Sequence, residues 1–151
     1  MRFERSTDQR DFAASLESLL AGADPVAASR AWASGDTGPG LALWDRLAGQ
    51  GLAMLATEAT PVEVVIAFEA LGRHAVPGPW IESAAYLPVA LGHEVEGPAT
   101  VAVPPLTPLA LDAHVARAVY AVRDGVLHHA QDRKSTRLNS SHRCISYAVF
   151  C

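Results

Sequence analysis

Cysteine is nearly missing from this chain of 151 residues: there are two, Cys144 and Cys151, both close to its end. A disulfide framework or a cysteine-based metal centre is thereby excluded for everything before them. Lysine occurs once, at Lys134, and asparagine once, at Asn139. No apolar run reaches the roughly 20 residues of a membrane-spanning helix. The opening Met1-Arg2-Phe3-Glu4-Arg5 also lacks the apolar core of a secretory signal. The expectation is a protein of the cytoplasm without a membrane span. Basic stripes are absent from the body of the chain, and the formal charge is −4, which disfavours nucleic acid as a partner.

What is present is apolar and small. Half of the residues are hydrophobic, enough for a core in one domain, or in one domain and part of a second. Alanine, glycine, proline, valine and arginine dominate up to Gln131. Every lysine, asparagine and cysteine falls after it. Lysine and asparagine use AT-rich codons, whereas alanine, glycine, proline and arginine use GC-rich ones, so body and tail differ in origin. The stretch Asp132-Arg-Lys-Ser-Thr-Arg-Leu-Asn-Ser-Ser-His142 resembles a translated sequencing-library adapter, the alternative being a basic, serine-rich natural tail. Residues 132–151 are therefore set apart as a non-native tail. The body then carries 8 basic and 15 acidic residues, a net charge of −7. A disulfide or metal role for Cys144 and Cys151 lapses with the tail.

Helices come first along the body. Ser6-Thr7-Asp8-Gln9 forms a capping box, and Phe12, Leu16, Leu19 and Leu20 follow on one face up to Gly22. Asp24-Pro25 opens a second helix, which carries Trp32 and stops near Gly35. The glycines of Gly35-Asp36-Thr37-Gly38-Pro39-Gly40 suggest a phosphate cradle, but the Gly-Lys-Ser/Thr ending of a P-loop is missing, so a plain loop is expected. Leu41 to Ala48 makes a third helix, and Leu52-Ala53-Met54-Leu55 is a short buried run. Thr60-Pro61-Val62-Glu63 signals another capping box. The helix behind it, from Val62 to Leu71, has almost no polar face and should be covered on most sides, with Glu69 and Arg73 paired at i, i+4.

Pro77-Gly78-Pro79 ends that helix, Trp80-Ile81 opens the next, and Pro88 must kink or split it before Leu91-Gly92. From Ala99 the pattern becomes extended. Thr100-Val101-Ala102-Val103 is β-prone, and Ala118 to His129 reads as a hairpin with a type I′ turn at Asp124-Gly125.

Three phrases, in this order, carry a resemblance. Leu43-Trp44-Asp45-Arg46-Leu47-Ala48 is followed by Gly51-Leu52-Ala53. Glu69-Ala-Leu-Gly-Arg73 is followed by Ala75-Val-Pro-Gly-Pro79. The extended stretches Ala99-Thr-Val-Ala102 and Ala118-Val-Tyr-Ala-Val122 come last. In this the chain resembles the amino-terminal part of the acyl-CoA dehydrogenase family, most of all the divergent, shorter subunits found in actinobacteria. The helical resemblance covers about Phe3 to Gly92. It implies a mostly α fold: a multi-helix amino-terminal domain over residues 1–95, then an incomplete β segment over 96–131 (α+β in all).

The same resemblance implies an oxidoreductase of lipid metabolism and fatty-acid β-oxidation, with FAD as cofactor, acyl-CoA as substrate and subunits in a homo- or hetero-oligomer. In such chemistry a carboxylate takes the α proton and the flavin the β hydride. The family's flavin-contacting motifs and its catalytic carboxylate lie later than this chain reaches. No residue is therefore assigned as catalytic, cofactor-binding or metal-binding, and the fragment alone is expected to be inactive and to bind no FAD. The alternative is a non-catalytic helical partner subunit or scaffold module.

Other residues have simpler explanations. Glu63 has a capping role and Glu69 an arginine partner, and Glu58 stands alone. His128 and His129 are adjacent on a strand and point to opposite faces. His74, His93 and His114 lack ligand spacing. Trp32, Trp44 and Trp80 read as packing anchors. By the resemblance, Phe68 and Leu71 of the buried helix lie near the acyl group.

Overall fold

A computed structural model describes residues 4–130 and the pair Cys144–Ile145. Helix α1, Thr7–Ala21, starts with the expected capping box. Gln9 N–H donates to Ser6 Oγ at 3.2 Å, and Ser6 N–H to Gln9 Oε1 at 3.0 Å. Helix α2, Pro25–Ser34, is capped by the Asp24 carboxylate, which accepts from Ala27 N–H.

Helix α3, Gly38–Ala48, begins three residues before the expected Leu41. Asp36 Oδ1 accepts from Gly38 N–H, Pro39 sits in the first turn, and the Leu41 amide already bonds back to Thr37. Two glycines weaken the local helix signal, but Gly40 is buried against Trp32 and Pro77, where a side chain would not fit. That packing overrides propensity. A 3₁₀ turn, Leu52–Met54, and a short helix α4, Leu55–Glu58, follow.

Helix α5, Pro61–Arg73, departs from expectation twice. Thr60 makes no capping bond to the backbone; its hydroxyl donates to Glu63 instead. Glu63 then also accepts from Gln9 Nε2 on α1, so its carboxylate is committed to side chains and the box does not close. Nor is α5 covered on most sides. Ile66, Ala67, Ala70 and Leu71 are buried, but Val62 is 46% and Val65 64% exposed, because the packing against α1 leaves that face open.

Trp80 starts the next helical stretch. Its middle, Glu82–Tyr86, is a π turn, and it ends as α6, Leu87–Leu91. Leu87 N–H reaches the Glu82 carbonyl, five residues back, just before Pro88, which has no N–H to offer. The split expected at Pro88 is thus a change of helical register.

Strands β1 (Ala99–Ala102), β3 (Ala118–Arg123) and β4 (Val126–His129) form a sheet in the order β1-β3-β4. β1 runs parallel to β3, with Ala99 opposite Ala118. β3 and β4 make the expected hairpin, with φ of 51° at Asp124 and 76° at Gly125, as a type I′ turn requires. Between β1 and β3, β2 (Ala110–Leu111) pairs antiparallel with β5 (Cys144–Ile145). The rest of the tail, Cys151 included, lies outside the described residues.

The architecture is α+β: a helical layer carrying a small sheet. The main core joins α1, α3 and α5 through Leu16, Leu20, Leu43, Trp44, Leu47, Ala67 and Leu71. A second cluster seats Leu87 against Ala99 and Val101. Ser83 fastens the two layers, donating to the Ala99 carbonyl at 2.7 Å and accepting from the Ala99 amide at 2.8 Å.

Candidate functional site

The chain turns sharply where α5 ends. His74 closes the helix, Ala75 takes a left-handed φ of 52°, and Gly78 takes 109°, so Val76 to Pro79 fold back under α5. Trp80 then stacks on Trp44, with ring centroids 3.7 Å apart and planes 23° apart. Its indole Nε1–H is satisfied by the Pro77 carbonyl at 3.1 Å. Trp44 Nε1, by contrast, is buried without a hydrogen-bond partner among the described residues. Trp32 and Trp44 pack around Gly40, Pro77 and Gly78, and Trp80 stacks on Trp44, as expected of packing anchors.

This turn leaves a groove of about 280 Å³. It is lined by Phe68, Leu71 and Gly72 of α5, by Ala75, Val76, Gly78 and Pro79 of the turn, by Trp80, Ile81 and Glu82 of the next helical stretch, and by Leu111 and Asp112. Glu69 to Pro79, one of the three phrases that carry the family resemblance, thus supplies six of the lining residues. Phe68 and Leu71, expected from the resemblance to face an acyl group, are on its wall.

Two polar side chains enter this apolar surface, and both are carboxylates. Glu82 arrives on the π turn. Asp112 arrives on the loop after β2, held by left-handed backbone (φ 50°) and by a hydrogen bond from Trp32 Nε1 to its Oδ1 at 3.1 Å. Neither is legible in the sequence, because 30 positions separate them and β2 is only two residues long. Arg73 follows the lining residue Gly72 directly, but it is engaged with Glu17 at 2.7 Å and Glu69 at 3.0 Å.

The other glutamates and the histidines stay apart from the groove. Glu58 is exposed. Glu63 holds Thr60 and Gln9, and Glu69 holds Arg5 and Arg73. His74 lies 2.6 Å from Glu17, His93 faces its neighbour's carbonyl, and His114 tilts against Trp32. His129 meets the Tyr120 ring edge-on at 5.2 Å. Among the described residues no three His, Cys, Asp or Glu side chains stand together as a metal site, and no helix is long and apolar enough to cross a membrane.

Compared with family models, curated proteins and solved structures, the chain gives no match.

Proposed function

We propose that this chain is the helical amino-terminal part, with the opening of the β domain, of an acyl-CoA dehydrogenase-like flavoprotein, and that its groove takes the acyl tail. The parent activity is the FAD-dependent α,β-dehydrogenation of an acyl-CoA thioester in fatty-acid β-oxidation, carried out in the cytoplasm by an assembly of like or related subunits. One observation carries this reading: the family-like phrase Glu69 to Pro79 is also the stretch that builds the apolar groove beside Phe68 and Leu71.

The residues of this groove do not fit the flavin. Its pyrophosphate would need cationic side chains, whereas Glu82 and Asp112 are the charged groups here, and Glu82 already stands in the first turn of the helical stretch that Trp80 opens. The flavin, the nucleotide end of CoA and the catalytic base are assigned to segments other than this one, and the chain alone is proposed to be inactive.

Titration with acyl-CoA esters of increasing length, read by tryptophan fluorescence, tests the groove. Affinity should rise with each added methylene until the groove is full, by up to about 0.8 kcal/mol per buried group. Coenzyme A binding as well as its long-chain esters would remove the support for an acyl site. Purified chain that retains FAD and oxidises acyl-CoA would refute the claim of inactivity. Genomic DNA read in frame past codon 131 should continue into a flavin motif and a carboxylate-bearing helix.

A further inference from the structure

The three-stranded sheet has two outer strands, and their surroundings differ. β1 is buried along its whole length, and its Ala102 packs against Ala110 of β2. On β4, by contrast, Val126, His128 and His129 are exposed, and among the described residues no strand pairs with its outer side. We propose that this edge is a self-association surface, where two copies of the chain join through antiparallel β4 strands about a two-fold axis at His128. The proposal is independent of the acyl reading, because β4 shares no residue with the groove.

The hydrogen-bond phase of the hairpin decides which backbone groups face outward. Ala130 N–H donates to the Val119 carbonyl at 2.7 Å, so these two residues form a bonded pair. Bonded and non-bonded pairs alternate along an antiparallel ladder. Ala121 and His128 are therefore bonded, whereas Val122 with Leu127 and Tyr120 with His129 are not. The N–H and C=O groups of Leu127 and His129 consequently point away from β3.

A second copy matches that row by symmetry. With the axis at His128, Leu127 of each copy stands opposite His129 of the other, and each such pair exchanges both of its hydrogen bonds. An axis at Leu127 would set His129 against Gly125 of the turn, where φ is 76°. An axis at His129 would set Leu127 against Gln131, past the end of the strand. Charge points to the same partner. β4 carries no Asp, Glu, Lys or Arg, so two copies of an acidic chain meet here without like charges on the strands. The strand also has no proline and pairs with β3 without a bulge, so it lacks the usual devices that keep edge strands apart. On its other face Leu127 shares an apolar cluster with Tyr120 and Val122, and pairing extends that face across both copies. The contact is small, so a dimer of micromolar strength is expected.

The test uses the full chain at neutral pH. Sedimentation equilibrium of the natural chain should show monomer and dimer in exchange. In a background of Cys144→Ser with Cys151→Ser, His128→Cys should form a covalent dimer on mild oxidation. The two copies of residue 128 face each other as a non-bonded pair, with Cα atoms about 4.5 Å apart and within disulfide reach. Val126→Cys should not cross-link, because it faces Ala130 of the other copy and lies roughly 13 Å from its own counterpart. His128→Lys and His128→Glu each place like charges on the axis and should weaken association about fivefold. An equimolar mixture of the two should restore it, a rescue that no role of His128 within one chain produces.

A natural chain that stays monomeric at high concentration would overturn the proposal, the edge then being closed from within the chain. So would a dimer in which His128→Cys fails to cross-link, or in which Val126→Cys cross-links as well, since the copies would then meet elsewhere or in another register. Circular dichroism reports the fold of each variant. Should a charged variant fail to fold, the natural chain and the two cysteine variants still decide.

Discussion

Trp32 on α2 donates its indole Nε1–H to Asp112 Oδ1 at 3.1 Å, linking positions 80 residues apart. The bond ties the helical layer to the loop after β2, and it holds the Asp112 side chain, one of those lining the groove. Asp112 also holds a φ of 50°, which Asp and Asn tolerate better than other residues with a side chain. Asp112→Ala removes the bond, worth about 1 kcal/mol, and adds a left-handed alanine at a cost of about 1–2 kcal/mol. A loss of about 2 kcal/mol is expected in urea unfolding with unchanged slope, against less than about 0.5 kcal/mol for Asp112→Asn. Equal midpoints for the two variants would show that the contact contributes nothing.

The same tryptophan decides what Gly40 can become. A Cβ there would lie 2.4 Å from Trp32 Cε3, 2.8 Å from Cζ3 and 3.1 Å from Pro77 Cγ. With its indole held by Asp112, Trp32 cannot give way cheaply. Alanine in a helix interior gains about 1 kcal/mol over glycine, but overpacking of this degree costs about 1–3 kcal/mol. Gly40→Ala should therefore destabilise the fold. Gly72, in α5, has nothing within 4 Å of its Cβ position, and Gly72→Ala should stabilise by about 0.5–1 kcal/mol. Thermal melting of the two variants should move in opposite directions.

Local chemistry was legible in the sequence where it is self-contained. The box of Ser6 and Gln9, the proline starts of α2 and α5, and the Asp124–Gly125 turn each need only a few neighbouring residues, and each forms as its pattern implies. Long-range packing was not. The start of α3 at Gly38 depends on Trp32 and Pro77 accepting a bare backbone at Gly40. Glu63 fails to cap because Gln9, 54 positions away, claims its carboxylate. At the groove, the helix that bears Phe68 and Leu71 was legible, but Glu82 and Asp112 reach the same lining only through a π turn and a two-residue strand with no pattern of their own.

Thr100 sits in the middle of β1 with 0% exposure, and its hydroxyl has no hydrogen-bond partner among the described residues. Both neighbours on the strand, Ala99 and Val101, are buried as well. A desolvated hydroxyl without a partner costs about 1–3 kcal/mol. Valine keeps the β-branched shape and removes the polar atom. Thr100→Val should raise the urea midpoint by the equivalent of about 1 kcal/mol. A destabilised variant would mean that the hydroxyl is bonded in solution.

Glu17 on α1 receives two groups from the end of α5: Arg73 Nη1 at 2.7 Å and His74 Nε2 at 2.6 Å. Its ionised carboxylate can only accept, so the His74 ring nitrogen is the donor. The His74 hydrogen bond, with smaller contributions from the Arg73 and His74 charges, holds the Glu17 carboxyl below its ordinary value against a weaker opposing effect of burial. A carboxyl depressed in the folded state releases its proton more readily there than in the unfolded chain. Its contribution to stability is therefore complete above the unfolded value and fades as pH falls through the folded one. Glu17→Gln should be less stable than the natural chain near neutral pH, and the gap should close on acidification through the carboxylate range, from roughly pH 5 downward. Added salt should narrow the gap at neutral pH, since the pair is partly exposed. Urea midpoints of both proteins across that range provide the measurement. A gap that widens toward acid would mean that the folded chain holds the Glu17 proton more tightly than the unfolded chain does, the opposite of what its two donors impose.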